Sequence, residues 1–593
     1  MKNKYLLIVT ILLVLTQLDK LNAQQGVAVN TTGAAPHISA MLDVSSDSRG
    51  ILIPRLLDGQ MSGMSNPANG LLIFNTTYGC FYYYESTGPS SGAWRQLVNS
   101  DKNNTLYDID GDSYLTFKYD GGHDDTLYIL FDETEKYRIT AKAIETLNNS
   151  NSVMIGEGAG QNMILTGNSG NILIGYHAGQ MVSTGSANTG VGYDALSSIT
   201  TGGNTAYGSS ALKSNVDGIF NVAVGTSSQR NGTTGSRNTS LGYGSLMNTR
   251  GSYNTGLGFS ALSSDTTGIY NTAVGYNALM ISRSSSYNTA LGGYALYRNH
   301  SGTYNVAMGF SALHNDSVGN FNVAVGSNAI YYNIDGSRNT AVGNEAMAGN
   351  STGSGNVAIG NAALHSNEEI NGLVAIGDSA LYNNGIGASG DQAKGNTAIG
   401  AGSMYANTKG WANTSLGSKS LKQNKTGAKN VALGEQALYS NVAKSGNTAV
   451  GMQAMSHYDT TSTYEFTFNT AVGYLALSGY DNPDEQHTGK YNTALGAGAL
   501  FNNTTGNYNL AAGMNTSASN LTGSYNCALG NRTLLANTEG SFLTALGYES
   551  MPNNTASYST AIGYQAMYKT TTGGSNLALG YQSLYHNKGN KRS

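Results

Sequence analysis

The chain predicts an all-β fold: a parallel β-roll solenoid of about twenty-five rungs behind a small N-terminal β module. Three observations carry that expectation. A five-residue phrase, N-[TV]-A-[VLI]-G, returns almost always after seventeen residues; from Asn254 it starts again at 271, 288, 305, 322, 339 and 356. Copies in which Ser152, Leu373, Leu543 or Ser559 replaces the Asn bring the count to twenty-five. Repetition at a short fixed period marks a solenoid, whose stability is a sum over neighbouring rungs because one rung cannot bury enough surface alone. Finally, Gly is 78 of 593 residues but Pro only 6, and charged residues are 11%, so glycine punctuates strands here and does not build collagen.

Taken in order, residues 1–23 read as an export signal. Lys2 and Lys4 precede a mostly apolar run from Tyr5 to Leu15, and Leu21-Asn22-Ala23 offers a cleavage site. The run is too short for a membrane helix, no Cys follows the cut, and the mature chain is expected to begin at Gln24 outside the cytoplasm. Residues 24–98 form a separate β module, holding Pro36, Pro54, Pro67 and Pro89 between short apolar runs. Cys80 to Tyr84 with Trp94 predicts its closing hairpin. Residues 99–150 read as a charged connector with a second hairpin, Thr126–Phe131 into Lys136–Ile139. Within the connector, Asp108-Ile109-Asp110-Gly111-Asp112 looks like the start of a calcium loop, but Ser113 and Tyr119 stand where an EF-hand needs Gly and Glu. Alternating carboxylates on a polar turn are the competing reading.

Residues 151–587 are the repeat, and 588–593 a polar tail. A rung is numbered here 1–17 from its Asn. Strand alternation puts positions 2 and 4 (Thr272, Val274) on one side and position 3 (Ala273) on the other. Since positions 2 and 4 are β-branched or apolar, they are expected in the core. Ala at position 3 would then face outward, its small size admitting a flat partner such as another subunit. A second apolar mark follows at position 9 (Leu262, Leu279, Leu296, Leu313, Ile330), suggesting two short strands per rung. The Asn column is expected to form a stacked amide ladder. Aromatic residues at position 17 (Tyr253, Tyr270, Tyr287, Tyr304, Phe321) are expected to stack, a glycan- or protein-gripping stripe being the alternative. Longer steps place insertions around 385–394, 458–466 and 480–490, along one edge, either as a binding face or as slack in surface turns.

Chemistry is not expected. The nine His are scattered singly, and His314 and His365, at the same rung position, lie three rungs apart. No zinc spacing, G-x-S-x-G elbow or carboxylate cluster appears, so no catalytic, cofactor-binding or metal residue is assigned. Cys80 and Cys527 are expected to be free thiols. A net charge of −4 gives nothing that would draw nucleic acid or acidic lipid.

The repeated phrase resembles the N-S-V-A-I-G rungs in the heads of YadA-like trimeric autotransporter adhesins. The resemblance implies a left-handed β-roll associated as a homotrimer. The present rung is longer than is usual in that family, and no heptads of its stalk and no barrel anchor appear. Gly26-Val27-Ala28-Val29-Asn30, Ala40-Met41-Leu42-Asp43-Val44, Arg49-Gly50-Ile51-Leu52-Ile53-Pro54-Arg55 and Gly70-Leu71-Leu72-Ile73-Phe74-Asn75-Thr76 resemble the N-terminal segment of secreted, tail-fibre-like proteins of the Bacteroidota. The expectation is a non-enzymatic fibre, secreted or displayed at the cell surface, that binds host, matrix or glycan surfaces. A phage-derived tail-fibre component and an ice- or surface-binding solenoid are the alternatives. Thr at supposed core positions counts against the last.

Overall fold

The computed structural model describes residues 27–32, 35, 42–88, 91–97, 105–107, 114–118, 126–131, 134–139, 144–146, 151–164, 169–458, 460–480 and 487–586. The expected leader, the Asp108–Asp112 run and the 588–593 tail lie outside them. The chain divides into two units, Met1–Asn148 and Asn149–Ser593.

In the first unit, β1 (Val27–Asn30) pairs in parallel with β2 (Leu42–Ser45). Strands β3 (Arg55–Leu56), β4 (Leu72–Asn75), β5 (Cys80–Gly88) and β6 (Ser91–Gln96) form a four-stranded sheet in that order, with a single-turn helix α1 (Asp58–Ser62) after β3. The expected hairpin is β5–β6: Tyr84 lies opposite Trp94 with ring centroids 5.4 Å apart. The Trp94 indole donates to the Met61 carbonyl at 3.1 Å. Met61, Ile73 and Cys80 are buried beneath this sheet. Where the sequence suggested a connector with one hairpin, β7 (Thr105–Tyr107), β8 (Tyr114–Lys118), β9 (Thr126–Phe131), β10 (Thr134–Ile139) and β11 (Ile144–Thr146) make a complete five-stranded antiparallel meander. The anticipated hairpin is its β9–β10 pair.

The second unit is the solenoid. Twenty-five three-residue strands, from β12 (Val153–Ile155) to β38 (Leu577–Leu579), join one parallel sheet, with only the short β29 (Lys444–Ser445) and β31 (Glu465–Phe466) outside it. Every pairing keeps rung positions in register, as in Thr272↔Thr289, Ala273↔Ala290 and Val274↔Leu291.

The sidedness of these strands reverses the sequence reading. Ala273, Ala290, Ala307, Ala324 and Ala341 are fully buried, whereas positions 2 and 4 are half-buried or exposed; Leu291 is 43% and Leu416 47% exposed. Positions 3, 8 and 9 fill the core. At Gly190, which occupies position 3, an added Cβ would lie 3.1 Å from Cδ1 of Leu196, the position-9 residue of the same rung. Opposite a position-9 leucine the strand and the wall therefore approach so closely that only a methyl or a hydroxymethyl fits; Leu173 fills position 3 where position 9 is Gly179. Close packing dictated the Ala column from inside, not a partner pressing from outside. Ser240 and Ser415 fill position 3, and each accepts from the buried position-8 Ser hydroxyl of the rung before: Ser228 to Ser240 at 2.6 Å and Ser403 to Ser415 at 2.8 Å.

The opposite wall is not a second strand. Positions 7, 9 and 17 carry positive φ, as at Asn277 (54°), Leu279 (52°) and Tyr287 (60°), an unusual backbone for non-glycine residues. Bonds to both neighbours stabilise it. Asn277 N–H donates to Phe259 O of the preceding rung at 3.0 Å, and Leu279 N–H to Ala295 O of the next at 2.9 Å. Strain repeated in every rung persists because each rung is held on both sides. At position 5, Gly275 has φ of 133° and an added Cβ would meet the Gly292 carbonyl at 2.6 Å, so the corner demands glycine on two counts.

This sidedness makes a prediction. Ala341→Leu should overpack the core and cost about 1–3 kcal/mol, while Thr340→Val should change stability by less than about 0.5 kcal/mol. Denaturant unfolding of the two variants compares them directly. Equal losses would contradict the assigned faces.

Candidate functional surfaces of the solenoid

Two columns of side chains cover the outward face of the long sheet. Position 2 alternates Thr with Val (Thr289, Val306, Val323, Thr340), and position 4 is aliphatic or Met (Leu291, Met308, Val325, Val342). Met308 is 40% exposed and Ile359 39%. The strip follows the sheet for roughly 120 Å, at about 4.8 Å per strand. A continuous apolar strip of this length is the feature monomeric soluble proteins rarely expose.

The position-17 aromatics stack as expected. Tyr253, Tyr270, Tyr287, Tyr304 and Phe321 follow one another with ring centroids 4.7 to 5.3 Å apart and planes within 11° of parallel. A second run joins Tyr491, Tyr508, Tyr525, Phe542 and Tyr558. Each ring spends its faces on its neighbours and shows solvent its edge. The stripe inside a run thus offers no free ring face on which a sugar could stack.

Two amide ladders run inside the rungs. In the first, a position-1 Asn accepts the next rung's backbone N–H, as Asn271 does from Asn288 at 3.0 Å, and donates to a turn carbonyl, here Ser285 at 2.7 Å, the buried Asn447 Nδ2 being an exception. In the second, at position 12, amides in unbroken runs donate to the carboxamide oxygen one rung back and to a turn carbonyl within their own rung. Asn350 reaches Asn333 at 3.0 Å and Gly353 O at 2.9 Å. The period-seventeen phrase revealed the first ladder; the second was missed, although Asn299, Asn333, Asn350, Asn367, Asn424 and Asn441 recur at the same spacing. Its breaks leave orphans. Among the described residues, the buried Oδ1 atoms of Asn367 and Asn441 have no hydrogen-bond partner, and each sits just before a rung carrying an insertion.

Asp occupies position 12 in two rungs. Asp316 accepts from Asn333 Nδ2 at 2.7 Å and Gly319 N–H at 3.0 Å, while its buried Oδ2 has no partner. Desolvation pushes its pKa up to about 8, against the opposing hydrogen bonds. Asp265, also fully buried, is raised to about 6 by the same cause. An Asn in this column donates where Asp316 has only oxygen, so the protonated acid is the form that fits.

The insertions behave differently from one another. Residues 385–394 form an exposed turn tied by Gly385 N–H to Thr408 O at 3.0 Å and by an exposed Lys394–Asp391 pair. In the 458–466 insertion, apart from residue 459, which lies outside the described residues, Tyr458 turns inward. It is fully buried at position 12 and accepts from Asn469 Nδ2 at 2.6 Å, and β31 pairs with β29 beside it. In the third, residues 481–486 lie outside the described residues; His487 is buried with Nδ1 2.9 Å from Asn503 O. Glu465 lies between Lys490 and Lys444, and hydrogen bonding from Lys490, then the charges of both lysines, hold its carboxyl below the usual range.

Neither cysteine is in a disulfide; Cys80 is buried and Cys527 partly so. Among the described residues no three His, Cys, Asp or Glu side chains gather to hold a metal ion, and no helix is long and apolar enough to cross a membrane. His314 and His365 share a column but belong to separate stacks, with Tyr331 and Tyr382 respectively.

Residues 28–108 match a family model described as a phage tail like trimerisation region. The match spans the β-rich N-terminal module, the part of the chain where the sequence already resembled tail-fibre-like proteins. No curated protein and no solved structure matches the chain. The β-solenoid and this match make a fibre-like structural protein; the resemblance of the rungs to YadA-like heads stays a resemblance.

The buried acid sets a pH dependence. Asp316 keeps its proton when folded and loses it when unfolded between about pH 4 and pH 8, so unfolding free energy should fall as pH rises through that window and level off above it. Asp316→Asn should remove most of this slope and raise the melting temperature at pH 8, read by thermal melts at several pH values. An unchanged slope would place the cause elsewhere.

Proposed function

We propose that the chain is a non-enzymatic, homotrimeric fibre protein, exported and displayed at a bacterial cell surface, where its solenoid serves as a structural or adhesive element. The observation that carries the reading is the outward strip at positions 2 and 4. A face of Thr, Val, Leu and Met running the length of a twenty-five-stranded sheet is costly in water at roughly 25 cal/mol per Å² of apolar surface. Covering it with two other copies of itself offsets that cost at every rung. The N-terminal match to a trimerisation region supports three copies. The export signal read in residues 1–23 and the resemblance to surface adhesins support display outside the cell, with host, matrix or glycan surfaces as the targets of adhesion.

A second reading gains from the reversed sidedness. Thr272, Thr289, Thr340 and Thr397 face outward, so the sequence-level argument against an ice- or crystal-binding array no longer holds. The aliphatic column beside them favours self-association. The tail-fibre reading differs only in where the fibre is carried, and virion-part genes beside this one would favour it.

Light scattering behind a sizing column, on residues 24–593, tests the trimer. The expected mass is three chains. Val274→Lys combined with Val325→Lys should yield smaller species while retaining the β-rich circular dichroism spectrum. A monomeric wild type would sink the trimer and send attention to thermal hysteresis.

A further inference from the structure

Position 10 carries a third aromatic column, and it has a gap. Tyr297, His314 and Tyr331 stack with centroids 5.0 and 4.9 Å apart; His365, Tyr382 and Tyr405 stack at 4.7 and 5.1 Å. Between the two runs the position belongs to Ala348. Tyr331 and His365 are therefore two rungs apart, about 9.6 Å by strand spacing, which is twice the ring-to-ring step of the column. One ring is missing from an otherwise regular stack. At this place the surface opens into a cleft of about 530 Å³, lined by Tyr331, Tyr332, Glu345, Ala348 and His365 and extending to Tyr294 and Phe310. Tyr332 stands at 80° to Tyr331 with centroids 4.7 Å apart. The Glu345 carboxylate lies 3.8 Å from His365 Nε2 at the rim.

We infer that this cleft is a binding site for one planar aromatic group bearing a cationic edge, the ring entering the gap above Ala348 and the cation meeting Glu345. Rings of the flanking residues already lie nearly parallel to their neighbours, at 14° for His314–Tyr331 and 4° for His365–Tyr382, so an inserted ring continues an existing geometry. Stacking on both faces is the arrangement aromatic pairs favour at 4.5–7 Å, and the ring faces together with the carboxylate favour a cation over an anion. Inside the runs each ring face is covered by the next ring, and no other small residue in this column has a ring one rung away on both sides, which distinguishes this place from the interior of the stripe. Positions 6, 7 and 10 lie on the wall opposite the sheet, so the cleft stays open when positions 2 and 4 are covered, and the site does not rest on the trimer.

Tryptamine is the probe, with indole and butylamine as comparisons, titrated against the full mature chain. Tryptamine should bind saturably with upfield shifts of its ring protons, indole more weakly, and butylamine not at all. Ala348→Tyr should fill the gap, keep the fold and lower tryptamine affinity by at least about tenfold, a change of 1.4 kcal/mol. Glu345→Gln should weaken tryptamine several-fold and leave indole unchanged. Tyr331→Leu, which leaves the gap open but removes one wall, should weaken both and guards against misfolding of the first variant. No saturable ring shift, equal binding of butylamine, or unchanged binding by either Ala348→Tyr or Tyr331→Leu would overturn the proposal.

Discussion

Every feature of the solenoid depends on one constraint: identical positions in successive rungs lie one strand spacing apart. At about 4.8 Å a side chain meets its own counterpart above and below, and it must be able to bond or stack with itself. Asparagine can, because one amide both donates and accepts. Tyrosine and phenylalanine can, by face-to-face stacking. Glycine can, where the backbones of Gly275 and Gly292 come too close for any Cβ. Carboxylates cannot, unless protonated; the lone Asp316 lies between Asn299 and Asn333 in an amide column, and its burial away from water is what makes it hold its proton. The low charge content of the chain follows from the same rule, since like charges stacked at this spacing repel.

The ladders also explain where the regularity fails. An insertion lengthens one turn and breaks the donation to the rung before: Asn384 gives its amide to Ala393 O at 3.2 Å, Tyr458 replaces the amide in the other rung, and the buried Oδ1 atoms of Asn367 and Asn441 are left without a partner. Tyr458 and His487 are bulky replacements drawn into the same space, each making one hydrogen bond there. These insertions serve partly as internal plugs, so the choice between a binding face and surface slack was too simple. The cleft above Ala348 arises differently, from a single small residue in a column that otherwise stacks.

Sequence reading found the ladder at position 1 and the glycine corner because Asn and Gly are nearly invariant there, and the aromatic stack at position 17 because its rings recur in unbroken runs. It missed the position-12 ladder because Asp, Ser, Thr and Tyr interrupt the asparagines there, and only the geometry shows the amides bonding from rung to rung. It also took the wall opposite the strand for a second strand. Apolar Leu279 at its regular spacing suggested extended backbone, whereas alternating left-handed residues reach the same neighbours through bonds no propensity scale anticipates.

What the sequence by itself determined is the period, the parallel stacking, the extent of the solenoid and the division of each strand into two side-chain sets. Strand alternation is a property of the backbone, and a seventeen-residue repeat has only one register in which like meets like. What only the tertiary structure decided is which set lies inside. Both sets are apolar, so hydrophobicity alone points to the larger one. The distance between strand and opposite wall settles it: with Leu at position 9 filling the interior, the space left on the strand side admits Ala or Ser and nothing wider. That distance comes from the turns at both ends of the rung, and it exists only once the chain has closed on itself.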